Sequence, residues 1–108
     1  MTEYRKLFAL KQKEIEAAFK VAFKHSSIIG LKLLHSPDPN TTHGRLLIVT
    51  SRACGKAHER NQIRRRIKSI YYKHKLYNTP GIWILIVYKE AMNLDFEEIE
   101  SFLQRSMG

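Results

Sequence analysis

The chain has 108 residues, 44% of them apolar and 27% charged, and a formal net charge of +9. That length predicts a single domain spanning 1–108, and the apolar fraction excludes a disordered chain. The lone cysteine, Cys54, excludes an intramolecular disulfide, so we expect a reducing compartment and a small space-filling role. The chain starts without the apolar core of a signal peptide, and its longest apolar run, Ile82–Tyr88, is too short to span a membrane. These features predict a soluble, cytoplasmic protein.

The first half of the chain predicts a helix followed by strands. Apolar residues recur at i, i+3, i+4, i+7 and i+8 over roughly Lys11 to Lys24, which indicates an amphipathic helix. They are Ile15, Ala18, Phe19, Ala22 and Phe23. Ile28–His35 predicts one strand, a turn-rich loop follows it, and Arg45–Thr50 predicts the next strand.

The second half predicts a basic helix from about His58 to Lys75, a break at Thr79–Gly81, and a strand at Ile82–Tyr88. Because that strand is apolar at nearly every residue, including Trp83, we expect it to be buried on both faces. A closing helix then begins after Asp95, with Glu98 completing a capping box. Its predicted inner face consists of Phe96, Ile99 and Leu103. The element order predicts an α+β fold, an α/β sandwich with a small sheet and a strand–helix–strand crossover.

Positive charge is concentrated in the middle of the chain. Ser51–Lys75 holds nine Lys or Arg and one Glu, whereas Lys89–Gly108 holds five acids and two basic residues. Like charges at helical spacing repel each other, so a merely solvated helix face is a poor explanation. A basic stripe of this kind indicates a polyanionic partner, either nucleic acid or an anionic membrane.

The basic helix separates into two stripes. Ile63, Ile67 and Ile70, with His74, form a narrow apolar stripe that the core needs, whereas a membrane-surface helix would carry bulkier apolar residues. The second stripe, extended by Asn61 and Arg65, consists of Arg60, Arg64 and Lys68. Arginine forks bind phosphate in a bidentate manner, which favours nucleic acid over a membrane. For Asn61, two roles stay open: a hydrogen bond to the partner, or capping of the helix.

These residues also form a dense motif, Arg52-x-x-Gly55-x-Ala57-x-x-Arg60-Asn61-x-x-Arg64-Arg65-x-x-Lys68. The motif resembles the signature of the bacterial ribonuclease P protein subunit, and the order of elements resembles that family along the whole chain. Two positions depart from the family pattern. Gln62 stands where many relatives have a third basic residue, and Lys68 stands where arginine is usual.

The resemblance implies an αβββαβα fold with a left-handed βαβ crossover. It also implies a protein that binds the catalytic RNA of ribonuclease P, one protein per RNA, and assists removal of the 5′ leader from precursor tRNA. The RNA would carry out the hydrolysis with magnesium that it mainly holds itself, so we expect no catalytic residue and no metal ligand in the protein. The residues expected to bind the RNA are Arg52, Lys56, His58, Arg60, Asn61, Arg64, Arg65 and Lys68. For His58 the alternative is an ordinary residue at the helix start.

The resemblance further implies that the single-stranded leader lies in a cleft between the first helix and the sheet. Such a cleft needs aromatic rings for stacking and nearby cations for phosphate. The candidates are Phe19, Lys20, Phe23, Tyr71 and Tyr72. A core role is the alternative for both phenylalanines. The alternative function is a general RNA-binding module of the ribosomal type, without a role in processing, and composition does not separate the two.

Overall fold

The computed structural model describes residues 4–38 and 41–107, and its elements follow the order αβββαβα. The helices and strands are α1 (Gln12–Val21), β1 (Phe23–Ile28), β2 (Leu31–Ser36), β3 (Gly44–Thr50), α2 (Ala57–Lys73), β4 (Gly81–Val87) and α3 (Phe96–Met107). A short 3₁₀ turn, Tyr4–Leu7, precedes α1. The predicted α+β class and the order implied by the resemblance are therefore confirmed.

The four strands form one sheet in the order β1-β2-β4-β3. Neighbouring strands are antiparallel except β3 and β4, which are parallel and are connected through α2. This is the predicted strand–helix–strand crossover; its left hand stays a prediction. Because β4 lies between β2 and β3, six of its seven residues are buried, as its continuous apolar sequence predicts. Trp83 is a core residue with 2% of its surface exposed.

The two faces of the sheet are covered unequally. On one face, α2 and α3 enclose the main core, which includes Ile67, Leu85 and Leu103 together with Cys54. On the other face, α1 buries a single side chain, Ala18, against Ile82 and Ile84. Side chains alternate between the two faces along a strand, so β2, β3 and β4 each contribute to both clusters. The sheet face beneath α1 is therefore only partly closed.

Two boundaries in the first half differ from the sequence prediction. The predicted strand Ile28–His35 corresponds to β2 (Leu31–Ser36), and its first residues are the end of β1 and the turn at Ile29 and Gly30; β1 itself (Phe23–Ile28) was not predicted as a strand. Gly30 has φ of +96°, and a Cβ there would lie 2.5 Å from the backbone nitrogen of Ala91. The apolar run continues through the turn, which hides it in the sequence. The predicted helix Lys11–Lys24 stops at Val21, since Ala22 is extended and Phe23 begins β1.

The later helices start and pack much as predicted. The Asp95 carboxylate accepts a hydrogen bond from the Glu98 nitrogen at 2.8 Å, and Glu98 accepts one from the Asp95 nitrogen at 3.2 Å, which confirms the capping box. Ile99 and Leu103 are buried, but Phe96 is 37% exposed, so the expectation that Phe96 lines the inner face is wrong. Phe96 is the first residue of α3, so it lies at the N-terminal end of the helix. Phe102 and Met107 fill the inner face instead.

Candidate RNA-binding surface

Helix α2 has a buried face and a charged outer face. The buried face consists of Ile63, Ile67, Ile70 and Tyr71, which pack on the main core. The outer face forms a shallow depression of about 460 Å³, here called the basic depression. It is lined by His58, Asn61, Arg64, Arg65 and Lys68. Five of the eight residues predicted to bind RNA therefore share one concave surface.

Arg64 is held in place by two hydrogen bonds. Its Nη1 donates to Asn61 Oδ1 at 3.1 Å, and its Nη2 donates to Thr50 Oγ1 at the end of β3. Asn61 is not the cap of α2, because that position belongs to Lys56, whose nitrogen donates to Glu59 Oε1 at 3.0 Å. The capping alternative for Asn61 is therefore wrong. Its side chain orients Arg64, so this guanidinium pays less conformational entropy when it binds an anion.

The remaining predicted residues surround the start of α2. Arg52, in a 3₁₀ turn before the helix, and Lys56, at the helix cap, are both exposed. Arg60 is half-buried and lies outside the lining of the basic depression. Lys68 closes the other end, with its Nζ 5.2 Å from the centre of the Phe8 ring. Positive charge thus extends along nearly the whole outer side of the helix.

A second surface lies between α1 and the partly closed face of the sheet, and is here called the α1 groove. Its floor consists of half-buried apolar side chains, Leu34, Leu47, Val49 and Ile86. Phe19 on α1 keeps 44% of its surface exposed, so the core alternative for Phe19 is wrong, and the neighbouring Lys20 is exposed as well. Sequence reasoning did not select these floor residues. The alternation in β3, where Leu47 and Val49 share a face opposite Leu46 and Ile48, is the signal that identifies them.

An ion pair connects α1 to the sheet at the edge of this groove. Arg45 at the start of β3 contacts the Glu14 carboxylate at 2.5 Å and donates a hydrogen bond to the Ala9 carbonyl at 3.3 Å. The hydrogen bond and positive charge of Arg45 hold the pKa of Glu14 below its usual value of 4.5. The pair thus connects the start of β3 to α1.

Three of the five residues predicted for the leader cleft do not face the α1 groove. Phe23 is paired with His35 across β1 and β2, with ring centres 5.8 Å apart, and His35 stacks on Trp83 at 4.1 Å. Because Trp83 belongs to the main core, Phe23 lies on the opposite side of the sheet from α1. The prediction fails because Phe23 follows strand alternation rather than helical spacing. Half of its surface is exposed, so it is not a core residue either.

The other two predicted cleft residues that do not face the α1 groove are the tyrosines on α2. Tyr71 is fully buried in the main core, and this burial raises the pKa of its hydroxyl above the ordinary value. Tyr72 is 40% exposed, but it contacts Tyr4 and Tyr77 beside α2 rather than α1. Both predictions fail for the same reason, since α2 packs on the sheet face that α1 does not cover. Phe19 and Lys20 remain as candidates in the groove.

Comparison with known proteins decides the family. The family model described as Ribonuclease P matches residues 2–108. The chain belongs to the ribonuclease P protein family. The ribonuclease P protein component of Phytoplasma australiense is 31% identical over 100 residues, covering 90% of this chain and 84% of the relative. The component from Onion yellows phytoplasma (strain OY-M) is 28% identical over 99 residues, covering 91% of this chain and 70% of the relative.

Solved ribonuclease P proteins share the fold. The protein from Staphylococcus aureus superposes with a TM-score of 0.81 at 21% identity, covering 93% of this chain and 91% of that chain. The protein from Thermotoga maritima superposes with a TM-score of 0.74 at 20% identity, covering 93% of this chain and 94% of that chain. At these identities the structural likeness supports the fold, while the family match carries the function.

Family membership gives the chain its role. It is the protein component of ribonuclease P, a ribonucleoprotein endonuclease that matures the 5′ end of tRNA, and its partners include RNA. The family match therefore favours the processing role over a general RNA-binding module. The motif that runs from Arg52 to Lys68 predicted this family from the sequence, because its basic residues, its glycine and the Arg60-Asn61 pair stand at the spacings of the family signature.

Proposed function

We propose that the outer face of α2 binds the catalytic RNA of ribonuclease P. The observation that carries this proposal is the basic depression, where three Lys or Arg side chains converge with Asn61 and His58. Arg64 is oriented before any RNA arrives, and Arg65 is exposed beside it. Arg52, Lys56 and Arg60 extend the same positive surface toward the start of the helix. Each side chain would neutralise a backbone phosphate and release a condensed counterion.

The α1 groove is the proposed site for the single-stranded leader of precursor tRNA. The exposed ring of Phe19 supplies a stacking surface for a base, and Lys20 supplies charge for the adjoining phosphate. The half-buried aliphatic floor beneath α1 offers further apolar contact without hydrogen-bond donors that would read sequence. Stacking on an apolar floor tolerates every base, which suits a segment that differs from one precursor to the next.

The same proposal assigns the hydrolysis and its metal to the RNA subunit and the binding of RNA to the protein. Across residues 4–38 and 41–107, no three His, Cys, Asp or Glu side chains form a group that could hold a metal ion. These side chains do not fit a resident metal, so the proposal assigns magnesium mainly to the RNA subunit. It further assigns one protein to each RNA, one domain to the chain and the cytoplasm as its location. Separately, none of the helices in the described part of the chain is long and apolar enough to cross a membrane.

Cleavage of a precursor tRNA by the partner catalytic RNA tests the proposal. The reaction is run at low magnesium with the RNA alone, the protein alone, and both together. Cleavage at the mature 5′ end that needs the RNA and rises strongly with the protein is the expected result. If the protein binds RNA tightly but never stimulates cleavage, the proposed role in processing is wrong. Cleavage by the protein alone would overturn the assignment of the chemistry to the RNA.

A further inference from the structure

The charged row of α2 ends in an exposed aromatic cluster. Tyr72 lies four residues after Lys68 and seven after Arg65, which is the spacing of one helix face. The edge of Tyr4 meets Tyr72 with ring centres 5.2 Å apart, and Tyr77 stacks on Tyr72 at 6.0 Å with an angle of 29°. These three residues are here called the tyrosine cluster. Tyr4 is 42% exposed and Tyr72 is 40% exposed, so these two rings remain open to solvent, while Tyr77 is half-buried against the main core.

The charges around the tyrosine cluster are mostly positive. Lys68 lies over the ring of Phe8, whose edge meets Tyr4 with ring centres 5.1 Å apart. Arg5 adjoins Tyr4 in the same 3₁₀ turn, and Lys75 follows α2 with a left-handed backbone. Lys73 is exposed as well, although its Nζ is 3.9 Å from the Glu100 carboxylate. A cationic peptide is a poor occupant for this surface because it would be repelled.

The chemistry of the cluster suits an unpaired nucleotide. Aromatic rings beside lysine and arginine stack bases and hold phosphates at once, and this combination is typical of proteins that bind single-stranded nucleic acid. An interfacial membrane helix would instead present a broad aliphatic face, which α2 directs into the core. The cluster also continues the row of Arg65 and Lys68. An RNA that follows this row along α2 would reach the cluster one helical turn beyond Lys68.

We propose that Tyr4, Tyr72 and Tyr77 form a stacking site for an unpaired base of the RNA that binds along α2. The site is separate from the α1 groove, because α1 and α2 lie on opposite faces of the sheet. This inference rests on the proposed binding of RNA to α2. It assigns to Tyr72 a role in holding the catalytic RNA rather than the leader.

The test measures the affinity of the catalytic RNA for variants at Tyr72 over a series of salt concentrations. Tyr72→Ala should weaken binding by about tenfold, within the range that loss of one stacked base produces. Tyr72→Phe keeps the ring and should bind like the wild type. Phe96→Ala is the matched control, because Phe96 is an exposed aromatic residue on acidic α3. The slope of affinity against salt should stay unchanged in all three, since no charge is removed.

A further variant, Tyr72→Leu, distinguishes the loss of a stacked base from a loss of folding. Tyr72→Leu retains apolar contact with Tyr4 and Tyr77 but has no ring, so it should fold normally and still lose affinity. Urea unfolding of each variant checks the fold. Wild-type affinity in Tyr72→Leu and Tyr72→Ala would overturn the inference, as would an equal loss in Tyr72→Phe. Discrimination between precursor and mature tRNA should not change, and a selective loss for the precursor would place Tyr72 with the leader instead.

The same assay separates failure of this inference from failure of the RNA-binding proposal. Arg65→Ala, measured in parallel, should make the salt dependence shallower if α2 meets the RNA. A shallower slope for Arg65→Ala together with full affinity in the tyrosine variants refutes only the stacking site. An unchanged slope for Arg65→Ala refutes the proposed RNA surface, and the inference falls with it.

Discussion

Replacing Arg65 by alanine, with Arg66→Ala as its matched control, tests the direction in which α2 faces the RNA. The two arginines are adjacent, exposed and equally charged, so each variant removes one unit of charge from the same helix. Arg65 lines the basic depression, whereas Arg66 lines a small cavity with Glu59 and Met92, between α2 and the segment that precedes α3. If the RNA contacts the side of α2 that carries the basic depression and does not contact Arg66, the two variants must differ.

The expected magnitude follows from counterion release. Each phosphate contact contributes about 0.9 to the slope of log affinity against log salt for duplex, and about 0.7 for single strands. A surface with six such contacts, made by the Lys and Arg residues proposed here, gives a slope near −5 and loses about a thousandfold in affinity over a fourfold rise in salt. Arg65→Ala should make the slope shallower by about one contact, which is about a threefold difference over the same range.

Filter binding of the catalytic RNA at several potassium concentrations measures this slope. The wild type and Arg66→Ala should give parallel lines, while Arg65→Ala should give a shallower line and weaker binding at low salt. Equal slopes for both variants would refute the reasoning, because the effect would then depend on net charge and not on the face of the helix. A shallower slope for Arg66→Ala alone would place the RNA on the opposite side of α2.

Three further predictions concern residues that hold the two surfaces. Arg64→Ala should reduce the salt slope by one contact and also lower the free energy of unfolding by about 1 kcal/mol, because its bond to Thr50 is lost; urea unfolding measures the second effect. Phe19→Ala should leave binding of the catalytic RNA intact and lower the affinity for precursor over mature tRNA by about tenfold, and equal loss for both substrates would contradict the α1 groove. Glu14→Gln should cost up to about 1 kcal/mol at neutral pH. Since Arg45 lowers the pKa of Glu14 in the folded protein, this stabilisation exists above the unfolded pKa, near 4.5, and should disappear in acid as the folded protein is protonated; a difference that persists in acid would refute an ionic origin.

Local pattern alone predicted the elements to which we assign the function. The spacing of Ile63, Ile67 and Ile70 fixed both the existence of α2 and the side it buries, and the opposite side had to carry the charge. The apolar run Ile82–Tyr88 predicted a strand buried on both faces, and β4 (Gly81–Val87) is the strand between two neighbours. The motif around Arg60 and Asn61 was specific enough to predict the family. The helix and strand predictions depend on residues that are close together in the chain, so periodicity suffices for them, whereas the family prediction rests on the resemblance of the motif to a known signature.

Tertiary contacts, not the local pattern, decided which aromatic residues are buried and which surface each exposed ring faces. Tyr71 and Tyr72 are consecutive, yet about 100° of helical rotation places one in the core and the other beside Tyr4, which is distant in sequence. Phe23 continues the helical spacing of α1, but the chain enters β1 there and strand alternation directs the ring to the other face. Sequence periodicity gives the side of an element and not the neighbour that covers it. The sheet decides which face each helix covers, and therefore which rings remain free to meet RNA.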